Sequence, residues 1–222
     1  MAAPRDPRDA YAALRAGQRP AHAALEAELA RLREGVAAVD FAASAERLGA
    51  RLVGDRLAVK ALGRDFLVGK DGAIASDCHT HAGLAIPLLR YVLFSGGGRP
   101  DGSWVPFREL AGAGGRELHF EQMVEKPLRA LVDAHTDLLT DLIDLFAGER
   151  SVNLFGSDVS LVLYPLPRIP VLICYWAPEE GMDSSVHVFF DATATRHLSV
   201  AWVHSLAVGL VEMFGKIALK HS

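Results

Sequence analysis

Three β-dense runs constrain the fold more than any other feature of the chain: Val159 to Tyr164, Val171 to Trp176 and Val186 to Phe190. β-Branched and aromatic side chains fill them, as suits a pleated, half-buried surface. Pro165-Leu166-Pro167-Arg168 and Pro178-Glu179-Glu180-Gly181 stand between them as turns, so successive strands fold back into an antiparallel meander. A sheet this apolar needs helices over it. Leu128, Leu131, His135, Leu138, Leu142 and Leu145 recur by threes and fours, which predicts one amphipathic helix. The segment Leu198 to Leu219 predicts a long closing helix, buried along Val203, Leu206, Leu210, Phe214 and Ile217.

The N-terminal third is helical and alanine-rich. Pro20 suits a first helical turn, and Leu25, Leu29 and Leu32 follow at helical spacing up to Glu34-Gly35. A second helix is expected from Val36 to Leu48. From Arg51 the short apolar runs Leu52-Val53, Leu57-Ala58-Val59 and Phe66-Leu67-Val68, separated by Gly54-Asp55, Gly63 and Asp71-Gly72, predict a smaller meander. A helix from Ala82 to Phe94 follows, stopped by Ser95-Gly96-Gly97-Gly98, and Trp104-Val105-Pro106-Phe107 comes after it. The pattern predicts an α+β fold: a helical N-terminal part over residues 1–50, antiparallel meanders packed against helices, and a long C-terminal helix. With no repeat and no linker, residues 1–222 are expected to form one domain.

Composition narrows the partners. Half of the 222 residues are hydrophobic and 23% are charged, which is globular usage. The formal net charge is −4 and the arginines are scattered, so no basic stripe exists for a nucleic acid. Two cysteines, Cys78 and Cys174, are too few for a disulfide scaffold or a four-cysteine site. Met1-Ala2-Ala3-Pro4-Arg5-Asp6 lacks an apolar signal core, so a reducing cytoplasm is expected. His204, Ser205, Glu212 and Lys216 interrupt the apolar C-terminal segment, which argues for a buried helix and against a membrane span.

Asp77-Cys78-His79-Thr80-His81 is the densest group of potential ligands. Thiolate and imidazole bind zinc, copper or iron, and an extended segment would put His79 and His81 on one face. A third ligand would come from elsewhere, with His119, Glu121, His187 and His197 as candidates. The other reading is a helix N-cap, Asp77 or Thr80, with the histidines exposed in a loop. His135 falls on the apolar stripe of its helix, as a core histidine would. On the opposite face Asp133, Asp137, Asp141 and Asp144 form an acidic row that could meet a basic partner or be solvated. Gly96-Gly97-Gly98 follows a helix and lacks the phosphate-loop pattern, and no G-x-S-x-G elbow is present.

Three stretches carry a family resemblance. They are Leu88-Leu89-Arg90-Tyr91 through Trp104-Val105-Pro106-Phe107-Arg108-Glu109-Leu110; Pro165-Leu166-Pro167-Arg168-Ile169-Pro170; and Ser184-Ser185 through Phe190-Asp191 to His197-Leu198. From about Leu84 to Leu198 the chain resembles the bacterial and archaeal family of domain of unknown function 3786. Some members of that family carry an added four-cysteine iron–sulfur domain of the kind found in corrinoid proteins. That association implies anaerobic redox or cofactor metabolism for those members, and on it alone His135 becomes a candidate ligand to haem or a corrinoid. The expected function is a non-catalytic or accessory module that binds a small ligand, a cofactor or a protein partner. One alternative is a metal-dependent enzyme, using zinc or iron, around Cys78, His79 and His81. Another is a structural interaction domain acting through the acidic row.

Overall fold

The computed structural model describes residues 22–77, 82–151 and 154–219. Helix α1 (His22–Val36) packs on α3 (Ala82–Phe94), burying Leu29, Leu32 and Val36. The second helix, α2 (Phe41–Leu48), starts later than the expected Val36, which belongs to α1. Asp40 sets the start: its carboxylate accepts the Ala43 N–H at 3.1 Å as an N-cap. Gly49, at φ 61°, sets the end, with bonds from Gly49 N–H to Glu46 and from Ala50 N–H to Ala45 closing the helix.

The smaller meander forms as expected, with one more strand: β1 (Arg51–Val53), β2 (Arg56–Ala61), β3 (Arg64–Val68) and β4 (Ile74–Ala75), paired in that order. Leu62 and Gly63, both at positive φ, make the two-residue turn that the right-handed twist of a hairpin favours. The Leu62 N–H reaches the Tyr164 carbonyl at 2.8 Å and ties this sheet to the larger one.

The larger sheet has the order β5-β9-β8-β7-β6, all antiparallel. Its strands are β5 (Trp104–Pro106), β6 (Glu149–Ser151), β7 (Val159–Leu166), β8 (Ile169–Trp176) and β9 (Ser185–Asp191). The expected meander is β7-β8-β9. Alternation sends Leu161, Leu163, Val171, Ile173, Val186, Val188 and Phe190 into the main core, which also holds Leu57 and Phe66 of the smaller sheet. The other face gathers Val162, Leu172 and Cys174 with the half-buried Trp104, Tyr164, Trp176 and Phe189.

Helix α7 (Val200–Ala218) lies against α3 and buries Val203, Leu206, Leu210 and Phe214 as expected, whereas Ile217 is only half-buried. Among the described residues it is the one helix long and apolar enough to cross a membrane, and here its stripe faces the core.

The single helix expected through Leu128–Leu145 is two. A helical rod runs through α4 (Glu117–Phe120), a π turn (Glu121–Glu125) and α5 (Lys126–Ala134). Residues 135–137 break it before α6 (Leu138–Phe146). The π turn has a cause in the sequence. Pro127 has no N–H for the carbonyl four residues back, and its ring crowds that carbonyl. The backbone widens there, so that the Lys126 N–H bonds to Glu121 five residues back. The break changes the position of His135, which caps α5 in an extended conformation (φ −136°, ψ 94°) and does not sit on a helical stripe. It also splits the acidic row: Asp133 stays on α5, Asp137 precedes α6, and Asp141 lies 3.9 Å from His135 Nε2.

Candidate functional site

Strand β5 is only three residues long. Pro106 pairs with Phe189, and the chain then turns into a 3-10 turn at Phe107–Glu109. Residues Ser185 to Val188 of β9 are therefore left without a strand on that side. Helix side chains take its place. Glu125 accepts the Val188 N–H at 3.0 Å, and Arg129, one turn further along the rod, donates to the Ser184 carbonyl at 3.2 Å. Covering an open strand edge in this way prevents it from pairing with another chain. By the two-residue repeat, the N–H and C=O of Val186 point to the same side as the Val188 N–H, away from β8.

A groove of about 580 Å³ lies between the rod and this edge. Its floor is aromatic: Phe107 and Phe120 line it, stacked at 4.3 Å with their planes 5° apart, and Phe190 backs them from the core, edge-on to Phe120 at 5.8 Å. Its walls carry both signs of charge. Glu117, Glu121, Glu125 and Arg129 line the groove from the rod at spacing four. Residues four apart overshoot one α turn, and the wider π turn takes up part of the overshoot, keeping them on one face. Arg108 and Glu109 line the opposite wall, 3.8 Å apart and both exposed. Lys126 pairs with Glu121 at 3.1 Å. His187 Nδ1 stands 3.5 Å from Glu125 Oε1, and that carboxylate raises the imidazole pKa against the opposing effect of burial.

Of the candidate ligand residues that are described, Glu121 and His187 line this groove, whereas His119, His135 and His197 do not. His119 stacks flat on His204 at 5.0 Å, and His204 is pushed down to about 4 by burial, by His119 and by Arg116. His197 is buried elsewhere, its Nδ1 2.8 Å from Ser95 Oγ. Cys78, His79 and His81 lie outside the described residues. Among the described residues no three of His, Cys, Asp and Glu gather closely enough to hold a metal ion.

His197 belongs to a buried polar knot. Tyr91 donates to the Leu48 carbonyl at 2.6 Å and faces the His197 ring at 6.0 Å. Arg168 Nη2 donates to the Glu46 carbonyl at 3.2 Å, and its charge acts on both Tyr91 and His197. Fully buried Asp191 accepts from the backbone N–H groups of Gly102 at 2.8 Å and Thr193 at 3.0 Å, and from the Thr193 hydroxyl at 2.5 Å. Tyr91 comes from the first of the three stretches that carry the family resemblance, Arg168 from the second, and Asp191 and His197 both from the third.

Glu117, Glu125 and Arg129 are not among the residues expected from the sequence; their spacing of four with Glu121, followed by Asp133, is the signal that could have found them. Arg108 and Lys126 carry no such signal, because only the fold brings them to the same opening.

A family model described as Domain of unknown function (DUF3786) matches residues 40–213, which include the whole groove and the knot. No curated protein and no solved structure matches the chain.

Proposed function

Because this chain belongs to the DUF3786 family, whose description names no activity, we propose its function from the groove itself: an accessory module that binds a small amphoteric molecule. The supporting observation is the charged stripe Glu117-Glu121-Glu125-Arg129 facing an open strand edge across a stacked aromatic floor. The volume falls within the range of roughly 300–1,000 Å³ typical of small-molecule sites, which combine an apolar lining with a few placed polar groups. Arg108 and Lys126 suit a carboxylate on the ligand, Glu117 and Glu121 an ammonium, and the Val186 backbone an amide. Phe107 and Phe120 offer the apolar contact.

The test is calorimetric titration with a panel of amino acids and dipeptides, alongside thermal melting. At a hundredfold excess over Kd, a bound member should stabilise the fold by about 2.7 kcal/mol. Arg108→Ala and Glu121→Ala, both at the exposed rim, should each weaken binding about tenfold, as the loss of one charged contact does. A panel that never saturates, or variants that bind as well as the parent, would dismiss the reading.

A further inference from the structure

Beyond Arg129 the rod borders a second cavity, of about 490 Å³. Its chemistry differs from that of the groove. Val132 and Leu139, both buried, form an apolar wall with Val159. At the base stands the half-buried carboxylate of Asp133, which accepts from the Tyr175 phenol at 3.0 Å and from the Ser184 hydroxyl at 2.7 Å. Both donors are neutral, so they position the carboxylate without cancelling its charge. An ionised carboxylate has about four lone-pair sites, and these bonds use two. Among the described residues no Lys, Arg or His forms an ion pair with Asp133. Arg129 also lines the cavity but turns its Nη1 to the Ser184 carbonyl. Asp183 stands exposed at the rim with Thr136 and Thr140. Asp158 adds negative potential from the strand side, acting on Tyr175. Burial first, and then the Asp133 carboxylate, push the Tyr175 phenol up to about 12, so it remains a donor.

We propose that this cavity is a binding site for an organic cation, a primary ammonium or guanidinium on an aliphatic stem. The stem lies along Val132, Leu139 and Val159, as the stems of Lys and Arg cover apolar surface elsewhere. The head reaches the open lone pairs of Asp133, where a charge-assisted hydrogen bond replaces a half-buried charge without a counterion. The Thr136 and Thr140 hydroxyls and Asp183 take the remaining donors at the mouth. Free amines and basic peptide side chains share this chemistry. The proposal does not depend on what the groove binds.

Calorimetric titration of the full chain tests it with three probes: n-butylamine, N-acetyl-lysine amide, and n-butanol as a neutral isostere. Both cations should saturate one site, n-butanol should not, and Asp133→Asn should weaken the cations at least tenfold. Tighter binding of n-butylamine assigns the site to free amines, and tighter binding of the blocked lysine assigns it to a peptide side chain. Thr136→Arg places a cation at the exposed rim without touching the base, and it should suppress binding even if Asp133→Asn does not fold. Glu121→Ala, which removes an ammonium contact proposed for the groove, separates the two sites: cation binding that survives it belongs to this cavity, and cation binding lost with it belongs to the groove. The proposal is overturned if n-butanol binds as well as n-butylamine, if neither cation binds at millimolar concentration, or if Thr136→Arg binds the cations as the parent does.

Discussion

Single residues in this fold carry more than their chemistry suggests, and His197 is the clearest case. Its Nδ1 is satisfied by Ser95, whereas its buried Nε2 has no hydrogen-bond partner among the described residues. Burial, and then the charge of Arg168, push its pKa down to about 4 from an ordinary 6.5. The unfolded chain therefore takes up this proton at a higher pH than the folded one. The stabilisation is fully present above pH 6.5 and is lost as the pH falls towards 4, by roughly 3 kcal/mol in all. Denaturant unfolding across that window should show the loss in the parent and a shallower slope in His197→Gln. Some slope should remain, because His204 is held near the same value. Equal slopes in the two proteins would mean that His197 is not the buried base described here. Nothing in the sequence around His197 distinguishes a knot residue from a ligand, since Ser95 and Arg168 approach only through the fold.

Elements were legible wherever local patterning decided them. The β7-β8-β9 meander, α3 and the stripe of α7 follow from β-branched density, glycine stops and helical periodicity. The rod and its break were not, because Leu128 to Leu145 keeps its spacing by threes and fours straight through the break. Thr136-Asp137, residues that favour caps over helix interiors, were the local counter-signal. Pro127 marked the π turn in the same way. That turn presents Glu125 to both Val188 and His187. Glu125→Gln keeps an oxygen for the Val188 N–H and removes the charge, so the raised His187 pKa should fall back towards its ordinary value. Proton NMR titration of the imidazole reads this directly, and an unmoved value would assign the shift to another group.

At the scale of the whole molecule, the two sheets and the helices share one apolar interior, and α1 joins it although the family match begins at residue 40. Glu28 of α1 pairs with Arg90, whose guanidinium lies 4.1 Å over the Trp202 ring of α7. The fold class was readable because it rests on the order of the elements. The site was not, because the groove and the second cavity form between segments far apart in the chain.

The polar knot has a consequence for the order in which the chain assembles. Hairpins such as β2-β3 and β7-β8 close over a few residues. Ser95 meets His197 across 102 positions, and Arg168 meets Glu46 across 122. The entropy of closing a loop grows with its length, and long-range contacts are slow to form. The knot is therefore expected to lock after the meanders and α7 have docked, as the last latch on a shape already made. Interactions absent from the transition state slow unfolding and leave refolding untouched. Tyr91→Phe, which removes the bond to Leu48 and keeps the ring, should speed unfolding severalfold in a chevron plot with little change in the refolding limb. A slowed refolding limb would instead place the knot in the nucleus, and the chain would have to find its most distant partners first.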